Sequence, residues 1–295
     1  MRLPTHGRYD FSPITDRPQF EWRPTKRLAV YIAVNVEWYA FGEGMKEELA
    51  PGGPEPDVLN FAWADYGNRV AVWRLLDLFD QLELPVALLV NSALYEYAPA
   101  IPAAFRARGD EIVAHGRTNS EAQGTLEPDA EQALIQQATD EISAHEGERP
   151  KGWLGPWLSE SRTTPELLKA AGYAYTLDWC MDDQPVWLRT DNGPLLAMPY
   201  PLEANDANAV MARKMNADAF ADLVVDQFDE MLEQTADGVP LVMSLALHPC
   251  ISGQPFRLRR LRQALQHIAR HREQIWLTHP AQIGARFREA VLATL

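Results

Sequence analysis

The chain is short of cysteine, of cations and of long apolar runs, and each shortage removes a class of protein. The two cysteines, Cys180 and Cys250, are far apart and neither lies in a CxxC pair. No disulfide framework is expected, and both read as buried apolar thiols. Lysine and arginine total 27 against 41 aspartates and glutamates, a net charge of −14. So acidic a surface repels phosphate backbones and anionic lipid, which argues against nucleic-acid and membrane-surface partners. No stretch approaches the roughly 18 uninterrupted apolar residues of a membrane span. Residues 1–20 are polar and proline-spotted, without the apolar core of a secretory signal, so a cytoplasmic protein is expected. No GxGxxG or GxxxxGK[ST] phosphate loop and no GxSxG elbow occurs. Their absence argues against nucleotide enzymes and serine hydrolases.

What remains is an ordinary globular composition, 46% hydrophobic and 23% charged. At about 150 residues per domain the 295 residues allow two domains, but α/β barrels of this size usually form one. Residues 1–25 carry Pro4, Pro13, Pro18 and Pro24 without periodicity and read as an extended N-terminal arm. Its aromatics Tyr9, Phe11, Phe20 and Trp22 predict packing on the body or on a neighbouring subunit, so a homo-oligomer is expected. Residues 26–295 form the body. Apolar runs at 27–36, 84–90, 111–114, 151–154, 173–177, 195–198, 239–247 and 275–278 predict strands. They alternate with helical patterns over 67–82, 101–108, 128–145, 164–171, 217–236, 254–271 and 280–295. That alternation predicts a parallel sheet, open or closed into a barrel. The Gly/Pro-rich insertion at 43–56 reads as an active-site loop.

Polar groups stand just past these runs. The first strand ends in Asn35-Val36-Glu37-Trp38, the third in His115-Gly116-Arg117-Thr118-Asn119, and the fourth in Gly155-Pro156-Trp157. Asp178-Trp179 and Asp182-Asp183 follow the fifth, and His248-Pro249 the seventh. In a parallel barrel these ends converge on one face, where two histidines and several carboxylates can do acid–base work.

The ordered set resembles the polysaccharide deacetylase superfamily, also called carbohydrate esterase family four. Its motifs TFDDG, H[ST]xxH, RxPY and LxLH find counterparts in Asn35–Trp38, His115–Asn119, Leu154–Trp157 and Leu245–His248, with a fourth region at Asp178–Asp183. The resemblance covers about residues 27–290 and implies an α/β fold, a distorted (β/α) barrel of seven to eight strands. It implies that Glu37 takes the general-base position. It also implies that Trp38 and Asn119 stand where the family has a metal-binding carboxylate and a second metal-binding histidine.

Longer segments, among them Tyr66–Arg74, Gly147–Trp153 and Asp182–Trp187, are similar to the superfamily's metal-independent allantoinase and cyclic-imidase branch. The expectation is a hydrolase of non-peptide carbon–nitrogen bonds that opens a cyclic imide or ureide, a small-molecule substrate, with no cofactor. Glu37, His248 and His115 are the expected catalytic residues. Trp38, Arg117, Asn119, Trp157, Trp179, Asp182 and Asp183 are expected to bind substrate. Asp182 or Asp183 is further expected to orient a histidine, and Trp38 to fill part of the metal space. The alternatives are a metal-dependent deacetylase, with a divalent ion such as zinc held by Glu37, His115 and Glu121, and a non-catalytic binding protein on the same scaffold.

Overall fold

The computed structural model describes residues 5–292. The first four residues of the arm, Pro4 among them, and the last three of the final predicted helix lie outside the described residues. Nine strands form one sheet among the described residues: β1 (Leu28–Val36), β2 (Ala87–Val90), β3 (Glu111–Ala114), β4 (Gly152–Trp153), β5 (Tyr175–Thr176), β6 (Val186–Leu188), β7 (Leu195–Ala197), β8 (Leu241–Leu247) and β9 (Ile275–Leu277). Eight run in the order β6-β7-β5-β4-β3-β2-β1-β8, and β9 pairs with the start of β1. Every pairing is parallel except β6 with β7. The sheet curls into the expected distorted (β/α) barrel. Between its edges, Val242 N donates to the Asp183 carbonyl (2.9 Å) and Ala246 N to that of Ala204 (3.0 Å).

The strands sort their side chains by parity, because successive residues point to opposite faces. In β1, Leu28, Val30, Ile32, Val34 and Val36 pack outward on the helices, while Ala29, Tyr31 and Ala33 fill the barrel interior. β8 repeats this with Leu241, Met243, Leu245 and Leu247 outward and Val242 and Ala246 inward. Continued one step past each strand, the alternation turns Glu37, Asn91, His115, Leu154 and His248 inward. Register aligns them: Val36 pairs with Val90 and Val90 with Ala114, so Glu37, Asn91 and His115 stand in one row. Val34 pairs with Leu247, which brings His248 level with Asn35.

Three elements differ from expectation. The helical stretch before β2 begins at Val58, not 67, and passes through a π-type segment at Gly67–Ala71. The short antiparallel β6 escaped the reading because it carries only three residues between prolines and polar turns. A second π-type segment, Ala207–Ala212, follows β7. The arm lies on the body. Trp22 is fully buried, with its indole N–H on the Leu241 carbonyl (2.9 Å), and Arg17 grips Asp182 through two bonds of 2.7 and 2.6 Å. No described helix is long and apolar enough to cross a membrane.

Candidate active site

A cavity of about 490 Å³ opens at the C-terminal ends of the strands, where β1, β3 and β8 deliver Glu37, His115 and His248. Glu37 Oε1 lies 3.5 Å from both His115 Nε2 and His248 Nε2. The ring of His115 is set by its Nδ1–H, which donates to the Leu154 carbonyl at 2.8 Å. The backbone beneath is braced by asparagines. Asn68 donates to the Glu37 carbonyl (2.8 Å), and Asn91 accepts from Trp38 N (2.8 Å) while donating to the His115 carbonyl. Gly116 must be glycine: its φ is +66°, and a Cβ would sit 2.7 Å from Pro156.

Asp206 is the residue that reading the sequence missed. It has no solvent exposure and sits where the β7–β8 connection bridges to β8 through Asn205 and Ala246. Its carboxylate accepts from His248 Nδ1 (2.6 Å), from His248 N (3.0 and 2.9 Å) and from Ser252 Oγ (2.5 Å). Asp182 and Asp183 do not orient a histidine; Asp206 does. It lies in a connection rather than at a strand end, and Glu203-Ala204-Asn205-Asp206 carries no motif that flags it.

Electrostatics divides the pair. Burial opposes charge on His248, but Asp206 and Glu37 outweigh it and hold the imidazolium well above its usual range. Burial likewise pushes the Glu37 carboxyl up, and the facing His248 and His115 pull it well below the carboxylate range. The cleft therefore holds an ionised carboxylate against a protonated imidazole at neutral pH.

Tyr39 closes one side. Its hydroxyl donates to Glu37 Oε2 (2.6 Å) and accepts from Asn119 Nδ2 (3.0 Å). Two buried polar atoms here, His115 Nε2 and Asn119 Oδ1, have no hydrogen-bond partner among the described residues. Trp157 lines the same cavity, its indole N–H on the Asn119 carbonyl (2.8 Å). Both Trp157 and Leu158 adopt left-handed backbone (φ 64° and 52°), a conformation costing roughly 1–2 kcal/mol per non-glycine residue.

The structure thus brings together Glu37, His115, His248, Asn119 and Trp157. It does not bring in the other expected residues. Trp38 has outward parity; its ring lies 6.4 Å from that of Tyr97 and lines a separate pocket with Arg117 and Glu121. Arg117 is spent on Glu121 and on Gln137 (2.5 Å). The Trp179 indole donates to Glu160 (2.8 Å) and packs against His6 and Tyr9 of the arm. Asp182 is taken by Arg17, and Asp183 is an exposed residue beside β8. Cys180 and Cys250 are free thiols; burial pushes Cys180 up to about 12.

The donor set does not fit the divalent metal of the deacetylases. Among the described residues no three His, Cys, Asp or Glu side chains converge as ligands. Catalytic zinc takes three such ligands. Glu121 faces the other pocket, paired with Arg117. Contrary to expectation, Trp38 does not fill part of the space beside Glu37; the Tyr39 hydroxyl stands between Glu37 and Asn119 instead.

The polysaccharide deacetylase family profile matches residues 58–176. A putative polysaccharide deacetylase of Schizosaccharomyces pombe is 27% identical, covering 92% of each chain. The crystal structure of PuuE allantoinase superposes with a TM-score of 0.85 at 26% identity, over 95% of this chain and 98% of its own. A probable polysaccharide deacetylase of Pseudomonas aeruginosa PAO1 gives 0.83 at 25% identity, over 92% and 95%. By sequence and by fold, the chain is thus similar to polysaccharide deacetylases and, over nearly its whole length, to an allantoinase.

Proposed function

We propose that this cleft opens a cyclic imide or ureide by adding water across a ring C–N bond, without a metal. Water gives a proton to Glu37 as its oxygen attacks the ring carbonyl. The C–N bond then breaks as His248 gives its proton to the leaving nitrogen, and the product carries a carboxyl and an amide or urea. The observation that carries the reading is Glu37 facing His248, with His248 backed by the buried Asp206. A carboxylate held so far below its usual range is a weak base at rest. The charge on His248 causes that weakness, so Glu37 grows more basic as His248 donates. The two proton transfers assist one another, and the net charge of the pair stays constant.

The unpartnered atoms support a ring substrate. Asn119 Oδ1 accepts a ring N–H, and His115 Nε2 holds the attacking water beside Glu37. Leaving such buried atoms unsatisfied costs about 1–3 kcal/mol each, which a ureide N–H and a water remove. The size of the cavity suits a small planar ring, and the PuuE neighbour is named an allantoinase.

The test is hydrolysis of allantoin, hydantoin and succinimide by purified protein, with and without chelator. Activity is expected to survive chelation, and Glu37→Gln to lower kcat roughly 10²–10⁴-fold with the fold intact. Activity that vanishes with chelator and returns with one equivalent of zinc overturns metal independence. The names of the curated relatives favour a second reading, amide deacetylation. Acetate release from N-acetylglucosamine oligomers, with no ring opened, selects it.

A further inference from the structure

The insertion after β1 sends three consecutive charged side chains, Lys46, Glu47 and Glu48, to the wall of the Glu37 cleft. It is a built wall, tied at both ends. Met45 N donates to the Ser120 carbonyl at 3.0 Å, and Leu49 N and Ala50 N donate to Asn60 Oδ1 at 2.8 and 3.1 Å. Asn60 is itself held by Asp57 at 2.7 Å. Gly44 permits the first tie: its φ is +68°, and a Cβ would lie 2.3 Å from the Ser120 oxygen.

The cations lining this cavity are already committed. Lys46 Nζ is bound by Asp57 (3.0 Å) and by Glu55. His248 is bound by Asp206 and faces Glu37. The half-buried Glu47 carboxyl, by contrast, takes no hydrogen bond and no ion pair from any described residue. Burial, with Glu37, Asp206 and Glu48 nearby and His248 opposing them, pushes it up to about 7. Tyr39 and Cys250 are the other titratable groups facing it.

We infer that Glu47 determines the specificity of this cleft, admitting uncharged rings and excluding rings that bear a carboxylate. The inference rests on the ring-opening reading and names its substrate class. A neutral Glu47 donates its O–H to a ring carbonyl. Once Glu47 is ionised, an anionic ring meets Glu37, Glu47 and Glu48 with no unpaired cation among the lining residues, and must shed its hydration without a new partner. Hydrolysis creates a carboxylate inside the same acidic wall, which then favours release of the product.

Dihydrouracil and dihydroorotate test this directly, because the same six-membered ureide ring comes without and with a carboxylate. Wild type is expected to prefer dihydrouracil by roughly 100-fold in kcat/KM, and more strongly above pH 7. Glu47→Gln should move that ratio toward dihydroorotate by roughly 10-fold or more, Glu47→Lys further, and the rim variant Glu48→Gln less. A wild type that opens both rings equally, or an unchanged ratio in a folded Glu47→Gln variant, overturns the inference. If neither ring is opened, the ring-opening reading fails for them, and calorimetry with hydantoin and hydantoin-5-acetate still decides the selection. Wild type should bind only hydantoin, and Glu47→Gln should gain hydantoin-5-acetate. Equal binding of the two by wild type, or binding of neither, overturns the selection.

Discussion

Two partly buried glutamates in this barrel end in opposite states. Glu37 faces two imidazoles and stays ionised well below the usual carboxylate range. Glu160 lies behind the Trp157 loop against Asp178, and burial together with that second carboxyl pushes it far up. Asp178 is raised too, although the Thr176 hydroxyl (2.8 Å) and Gly155 N–H (2.7 Å) relieve it. Glu160 Oε1 finds no donor among the described residues. Depth alone therefore does not set protonation; the compensating charge does. The compensated carboxylate lies in the cleft, while the uncompensated pair braces the loop that walls it.

The comparison breaks hardest at Asp206. Asp206→Asn keeps the shape and removes the charge that holds His248 protonated. We expect kcat to fall roughly 10²–10³-fold. The basic limb of the pH–rate profile should move down toward the ordinary histidine range near 6.5. Profiles of kcat against pH for both proteins check this, and an unmoved limb rejects Asp206 as the group that positions and charges His248. In wild type the Glu37–His248 pair itself should impose no limb on kcat/KM at neutral pH for an uncharged ring. Its acid limb should lie below the usual carboxylate range, because Glu37 is depressed and His248 is raised.

Glu160 sharpens the comparison from the other side. Its folded-state value lies above its unfolded one, so its contribution to stability is complete at low pH and is lost as pH rises through the folded value. The loss is at most about 1.4 kcal/mol per pH unit. Wild type should melt progressively lower from pH 6 to pH 9, and Glu160→Gln should flatten that decline. Parallel melting curves for the two proteins would remove Glu160 as the source. The smallest effect belongs to a carboxylate outside both clusters. Asp182→Asn loses the Arg17 pair at the arm and should cost about 1 kcal/mol or less of stability, with kcat and KM unchanged. A substantial rise in KM would return Asp182 to the substrate.

Much of the frame is legible in the chain because buried parallel strands are apolar on both faces, and such runs stand out from any background. The same parity that alternates Ala29, Tyr31 and Ala33 with bulkier neighbours carries one step further to Glu37 and sends Trp38 the other way. That signal lay in the sequence. Residue type and nearness to a strand end alone gather Trp38, Arg117, Trp179, Asp182 and Asp183 into a site that geometry disperses. Aromatic and acidic side chains near a barrel mouth serve loop packing and arm docking as readily as ligand binding.

The sequence by itself determined the alternation of strands and helices, the inward-pointing Glu37, His115 and His248, and the presence of Trp38 and Asn119 beside them. These are local facts, fixed by period and by identity. Only the tertiary structure decided that Asp206, 42 residues before His248, supplies its counter-charge, and that Tyr39 rather than Trp38 stands beside Glu37. It also decided that the arm consumes Asp182 and Trp179. Each depends on where a connection crosses the barrel mouth, and the free energy of such a crossing comes from contacts between distant segments, which no local pattern of residues records.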